Sequence, residues 1–291
     1  MNESDEQRKL TALLLGFDEI QPDPTTREFY LKTPWSWPGS KFKSLDKILP
    51  ELPYGKIWVD ACFGTGVVTL NRRPSPFEVY NDRYSGITDF YRVVRDDQLY
   101  DKLLERLKTV LYSREEFIWC KATWKDCDDS VERAARWYYM IRSSFNQIGR
   151  NFGRSLRDSM LPQKYWRGLK LFPHMHHRLQ HGQIENLDVV QCIKDYDSHE
   201  TVFYIDPDYE ETDQGVYEFN VNHKLLIETV RTAKGFVAIS GYPNSLYDSY
   251  AWDKRIDWPV ATSVRSQAKQ GDYKLNRQIK QTEVLWIKDF D

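Results

Sequence analysis

Residues 56–70 read KIWVDACFGTGVVTL, and the fold turns on how they are understood. Residues 57–59 form a short apolar run with the look of a buried strand, and Asp60 ends it. Gly64 and Gly66 then make a tight turn, and the apolar run after them can open a helix. Small residues at such a turn let a ligand approach the backbone, while the following helix aims its N-terminus at it. A second apolar run, FEVYND at 77–82, ends in Asp82. An acid placed there can accept both hydroxyls of a ribose. The third glycine of a dinucleotide fingerprint is missing, and an ordinary tight turn stands as the competing reading.

Outward from this unit the chain alternates. TPWSWPGSK (33–41) is a Pro- and Trp-rich loop, and FKSLDKILPEL (42–52) reads as a helix with Phe42, Leu45, Ile48 and Leu49 on one face. Helical periodicity covers residues 87–112 and 130–145. Strands return as QIENLD (183–188), TVFYIDPDY (201–209), GFVAISGY (235–242) and TEVLWIKDF (282–290), with an amphipathic helix over 222–234. This order predicts an α/β fold with a mostly parallel sheet covered by helices on both faces. The predicted organisation is a polar lead over 1–26, a sheet domain built from 27–90 and 179–291, and a mostly helical unit inserted over 91–178. Ligands of such sheets bind at the carboxyl ends of the strands.

Composition narrows the function. The chain has 291 residues, 41% of them hydrophobic, enough for a sizeable core; its formal charge of -2 excludes a global basic field for nucleic acid. Cys62, Cys120, Cys127 and Cys192 show no short paired spacing, which argues against a structural zinc site and a disulfide framework. No membrane span or signal-peptide core is legible, so the expectation is a cytoplasmic protein with no metal and no membrane partner.

Two further stretches carry chemistry. Asp206-Pro207-Asp208-Tyr209 follows an apolar strand. A carboxylate and the carbonyl of Pro207 can together accept the hydrogens of an exocyclic amino group, and Tyr209 can stack on the base that bears it. A strand-to-turn junction also favours Asp and Pro. Residues 142–170 carry seven basic side chains against one acid, Asp158, for a local charge of +6. Arg142, Arg150, Arg154 and Arg157 suit phosphates, and Asn146 and Asn151 suit base edges. A solvated helix face is the bland alternative, although the interleaved glycines and asparagines favour a loop that presents side chains.

Taken together, these residues resemble the Dam-type, alpha-group DNA adenine-N6 methyltransferases, particularly phage and orphan forms. The family's Trp-to-Lys motif is similar to Trp37-Pro38-Gly39-Ser40-Lys41, and its Phe-x-Gly-x-Gly motif to Phe63-Gly64-Thr65-Gly66 preceded by Asp60. Asn81-Asp82 looks like its acid-ended second strand. Its Asn-rich segment is similar to residues 145–153, and IENLD with Asp188 resembles the element that meets the cofactor's adenine. Asp206-Pro207-Asp208-Tyr209 resembles the catalytic Asp-Pro-Pro-Tyr motif, followed in order by Tyr217, Phe219 and His223. The match runs over roughly residues 33 to 290. Two residues depart from the pattern: Asp208 stands in place of the second proline, and Ser40 in place of a glycine.

The resemblance implies a Rossmann-like methyltransferase sheet with an inserted helical DNA-recognition domain. It implies S-adenosylmethionine as cofactor, held by Trp37, Lys41, Asp60, Phe63, Gly64, Gly66, Asp82 and Asp188. It implies methyl transfer to N6 of an adenine flipped out of double-stranded DNA. Asp206, Pro207, Asp208 and Tyr209 would be catalytic; Arg142, Asn146, Arg150, Asn151, Arg154 and Arg157 would bind DNA. Three alternatives remain beside it: an adenine methyltransferase acting on RNA, a DNA-binding relative in which Asp208 has ended catalysis, and a nicotinamide-dependent oxidoreductase.

Overall fold

The computed structural model describes residues 30–37, 39–154, 160–208, 221–262 and 279–290. Pro38, Arg157, Tyr209, Tyr217, Phe219 and the N-terminal lead over 1–26 lie outside the described residues.

The strand that decides the fold is β1 (Ile57–Asp60). It lies between β2 (Phe77–Asn81) and, on its other side, β4 (Thr201–Ile205), both parallel to it, with Val59 opposite Val79 and Phe203. β3 (Gln183–Glu185) extends the sheet beyond β2, and β5 (Phe236–Gly241) extends it beyond β4, again in parallel. The full order of the described strands is β3-β2-β1-β4-β5-β7-β6, where β6 (Lys254–Thr262) and β7 (Ile279–Lys288) run antiparallel to their neighbours. This is a Rossmann-like α/β sheet. The central strands read as continuous apolar runs because both faces are covered. Trp58, Tyr204, Ala238 and Leu285 join one hydrophobic layer, and Val59, Phe203, Val237 and Ile239 join the other.

The helices depart from the expected segments where polar or cyclic residues intervene. The expected helix over 42–52 is a 3₁₀ turn, then α1 (Leu45–Ile48), then a second 3₁₀ turn containing Pro50, which brings no N–H to a helical ladder. After the glycine turn only four residues coil, as α2 (Val67–Leu70). Asn71 ends it with a side chain that donates to the carbonyls of Val67 and Leu31.

The expected helix over 87–112 is two, α3 (Ser85–Arg95) and α4 (Asp97–Lys108). Asp96 breaks the run in extended geometry, and its carboxylate caps α4 by accepting from Gln98 and Leu99. The block continues through α5 (Arg114–Thr123), α6 (Ser130–Ser143), α7 (Leu161–Leu169) and α8 (Phe172–Leu179) before the chain re-enters the sheet at β3. α9 (Val189–Tyr196) follows, then α10 (His223–Arg231) and α11 (Ser245–Asp248).

β6 escapes a sequence reading for a physical reason. Its residues, KRIDWPVAT, include Pro259, which cannot donate to a ladder, and the strand sits at the sheet edge where that is tolerated.

An aromatic cluster joins the helical block to the sheet. The buried ring of Trp35 lies 5.0 Å from Phe90 of α3 and 5.6 Å from Trp137 of α6. The segment around Trp35 is thereby pinned against α3 and α6. A buried ion network ties α8 to β2: Arg178 donates to both oxygens of Glu78 and to the carbonyl of Thr69.

Candidate active site

The carboxyl ends of β1, β2 and β4 face one cavity of about 520 Å³, within the ordinary range for ligand sites. Trp37, Lys41, Asp60, Phe63, Gly64, Asp82, Asp188, Asp206, Pro207 and Asp208 all line it. Residues up to 171 positions apart in sequence thus share one wall, because parallel strands bring their ends to the same edge. Gly66 does not line the cavity. It holds φ +68° at the start of α2, and a Cβ there would lie 2.4 Å from the Phe63 ring. Its role is to let that ring fold back under the turn, where it stacks on Tyr80 at 4.8 Å. Gly64, at φ +51°, lines the cavity, and a Cβ there would meet nothing nearer than the Cys62 carbonyl oxygen at 4.0 Å, so the need for glycine is the positive φ.

The acids are held differently. Asp206 is bound by Lys41, whose Nζ lies 2.7 and 2.8 Å from its two oxygens. Ser240 donates to Oδ1 at 2.9 Å, and the buried Tyr204 hydroxyl lies 2.9 Å from the Ser240 hydroxyl. Burial pushes the Asp206 pKa up, and Lys41 and Ser240 oppose that push. Asp82 accepts the backbone N–H of Gly64 at 2.8 Å and of Tyr84 at 2.9 Å, so it braces the glycine turn. Burial raises its pKa to about 6 against those two bonds.

Asp60 accepts from Thr69 at 2.7 Å through Oδ2. Its Oδ1 is buried in the cavity wall and finds no hydrogen-bond partner among the described residues. Burial raises its pKa to about 8. Asp188 caps α9 by accepting from Val190 and pairs with Arg83, so its oxygens already have protein donors.

Of the predicted DNA-binding residues, Arg142, Asn146, Arg150, Asn151 and Arg154 lie outside the cavity lining. Asn146, Arg150, Asn151 and Arg154 are exposed on the segment after α6. An antiparallel bridge between Ser144 and Phe152 makes this segment a hairpin-like projection. Asn146 and Gln147 hold φ +55° and +56°, a conformation that costs free energy in residues with a Cβ. Gln147 compensates by bonding Ser36 through both ends of its amide. Arg142 is committed inward, donating to the carbonyl of Lys164.

Several residues of the site, on its wall or behind it, are not singled out by the sequence reading. Ser240 could have been found, since a lone hydroxyl within a buried apolar strand requires a partner. Tyr84 lies against Trp37, ring centroids 6.1 Å apart, and both line the cavity. Lys121, Trp124 and Lys125 arrive from the α5–α6 corner, a position only the tertiary fold reveals.

The family model of the D12 class N6 adenine-specific DNA methyltransferases matches residues 37–250. The chain belongs to this family. DNA adenine methylases of Salmonella typhi and Salmonella typhimurium are 28% identical to it over 116 residues. That stretch is 39% of this chain and 41% of each relative, so the chain matches about two-fifths of their length. A D12 methyltransferase makes sense of the cavity's acid-lined ends and of the loop at 206–208 closing one wall. Among the described residues no group of three or more His, Cys, Asp or Glu is placed to hold a metal, and no helix is long and apolar enough to cross a membrane.

The donor set fits S-adenosylmethionine. A buried acceptor without a partner, Asp60 Oδ1, suits the ammonium of an amino acid, and the Trp37 and Tyr84 rings offer apolar surface to an adenine. Asp82 keeps lone pairs for ribose hydroxyls beside its two backbone bonds.

An ammonium at Asp60 favours the carboxylate, whereas the ligand-free site favours the acid up to about pH 8. Binding below that pH must expel the proton. For a ligand that places an ammonium at Asp60, as S-adenosylmethionine could, affinity is therefore expected to rise by up to about tenfold per unit between pH 6 and 8, then level. Asp60→Asn should weaken binding and flatten the slope; calorimetric titration at three pH values checks it. For stability the sign is opposite: the folded chain holds the extra proton between pH 3.8 and about 8, so Asp60 makes the ligand-free fold less stable as pH rises.

Proposed function

We propose that this chain transfers a methyl group from S-adenosylmethionine to the exocyclic N6 of adenine in double-stranded DNA, in the cytoplasm of a bacterial or phage-infected cell. The observation that carries the reading is Asp206, fixed by Lys41 and Ser240 on the wall of the cavity that also holds the glycine turn. The cofactor, when bound, supplies an electrophilic methyl group.

The chain's own residues supply position and charge. Trp37 and Tyr84 cover the adenine of the cofactor, Asp82 takes its ribose hydroxyls and Asp60 its ammonium. Asp188, already paired with Arg83, sets the floor at the adenine end. The target adenine is extruded from the duplex, because its N6 is out of reach in the stack. Tyr209, by its place in the motif, stacks on it. One N6 hydrogen goes to Asp206 and the other to the carbonyl of Pro207, which directs the nitrogen lone pair at the methyl carbon. Positioning and fixed charge account for the acceleration. The helical block over 91–178 serves as the target-recognition unit. Arg150 and Arg154, with Arg157, contact phosphates, and Asn146 and Asn151 reach base edges.

The test incubates the chain with isotope-labelled cofactor and unmethylated duplex DNA, with a matched RNA in parallel, and measures labelled nucleosides by mass spectrometry. Labelled N6-methyladenine from the duplex is the expected result. Label in RNA alone, or binding of both ligands with no label, would overturn the reading.

A further inference from the structure

Asp208 forms the cavity wall beyond Pro207, and its carboxylate is backed by a second titratable group. Oδ1 accepts the backbone N–H of Val221 at 3.3 Å and lies 4.0 Å from Nε2 of His223. On the far side of that ring, Nδ1 lies 2.9 Å from the hydroxyl of Tyr247. Tyr247 in turn stacks on Trp286 at 4.9 Å. A carboxylate, an imidazole and a phenol therefore run in line from the cavity wall into a buried aromatic layer. The Asp208 side chain is 14% exposed and His223 8%.

Asp206 is placed differently. Its Oδ1 already receives Ser240 and Lys41, and Oδ2 receives Lys41. Its oxygens are thus committed to donors that fix its orientation as a hydrogen-bond acceptor, whereas the Asp208 carboxylate meets one backbone N–H and the edge of the His223 ring. Yet methylation of a neutral amine requires a base. The nitrogen gains a carbon, the donor sulfur keeps the electron pair of the broken bond, and the nitrogen is left cationic with one proton to lose. The carbonyl of Pro207 does not take up a proton near neutral pH.

We propose that Asp208 receives this proton and stabilises the charge that develops on N6, with His223 as the positioning residue that holds the carboxylate in place. The inference rests on the methyl-transfer reading above. Asp208 becomes a carboxylic acid on accepting the proton and returns it to solvent before the next turnover. The His223 ring meets Asp208 from the end of β4 and Tyr247 from α11, while Lys224 and Glu228 of its own helix are exposed.

The experiment measures single-turnover methyl transfer for the wild type, D208N, D208P, H223Q and D208N/H223Q. Cofactor affinity is measured by calorimetry, fold by thermal unfolding, and the His223 ring is titrated by NMR in the ligand-free protein. D208N and D208P should both slow transfer on the order of 10²-fold with cofactor affinity unchanged. H223Q should slow it about tenfold in the wild type and add nothing in D208N, since the two act as a unit. D208N should lower the His223 midpoint by about one unit. Wild-type rate in D208P would overturn the proposal, because it would leave Asp208 only the spacing part that a proline plays. So would an H223Q effect that persists undiminished in D208N, or an unmoved His223 midpoint. If the wild type methylates nothing while the midpoint shifts as expected, the methyl-transfer reading itself has failed and the proton role falls with it.

Discussion

Asp206→Ala reduces methyl transfer by about 10³-fold or more, measured as labelled N6-methyladenine per turnover, with cofactor affinity changed little. The size follows from what the carboxylate does. It is held at one orientation by Lys41 at 2.7 and 2.8 Å and by Ser240 at 2.9 Å, so its acceptor site is fixed before the target nitrogen arrives. Preorganised charge costs no reorganisation during the reaction, and its loss is felt in the rate rather than in binding. The same change strands the Lys41 ammonium, which is only 2% exposed, beside a cavity without its counter-charge. A fall in unfolding midpoint should therefore accompany the lost rate. Asp206→Asn keeps the shape and should lose less stability than Ala while remaining slow. Transfer by Asp206→Ala within tenfold of the wild type would sink the assignment of this residue.

Glu78→Ala is expected to cost about 3–5 kcal/mol of stability and lower the unfolding midpoint by roughly 10 °C. Glu78 lies under the sheet edge with its side chain 6% exposed. It accepts from Arg72 at 3.0 Å, from both terminal nitrogens of Arg178, from Tyr80 at 2.6 Å and from the backbone of Ser75 at 2.9 Å. Removing it leaves two guanidiniums buried without their counter-ion, which is far more costly than replacing the whole group with apolar residues. Burial works to raise the Glu78 pKa, and the bonds and charge of Arg178 overcome it, so the carboxyl sits below its ordinary value. A depressed carboxylate contributes its stability above the unfolded pKa, and loses it as pH falls through the folded one. Acid should thus destabilise the wild type more steeply than Glu78→Ala. A denaturant series at pH 7 and pH 4 decides it: equal acid sensitivity in the two proteins would refute the network's role.

The polarity of this network also explains why it was not legible. Glu78, Tyr80 and Arg178 are 100 residues apart at the extremes, and an Arg in FPHMHHRL reads as one charge on a helix face. Nothing in the local pattern announces that it crosses to β2. The glycines and asparagines of residues 142–170 favour a loop, and residues 144–154 follow that expectation, whereas Leu161–Leu169 coil as α7. The inward commitment of Arg142 was not readable, since it depends on where the carbonyl of Lys164 lies. β6 was hidden by Pro259, and the break at Asp96 by apolar periodicity that continues through it.

What the chain's sequence determined by itself is the described strands other than β6, several with acid-bearing ends, and the order in which they occur. Those features are local: apolar runs of strand length, glycines where the backbone must turn, and carboxylates where a strand stops. The order and chemistry of those ends, taken together, were enough to suggest the family. Only the tertiary structure decided which acids serve as braces and which stay available. Asp82 spends bonds on the glycine turn and Asp188 on a helix cap, while Asp60 keeps one oxygen without a partner among the described residues and Asp208 comes to rest against His223. The reason is that a carboxylate's role depends on its hydrogen-bond donors and its burial, and these come from segments as distant in sequence as Lys41, Ser240 and Tyr247.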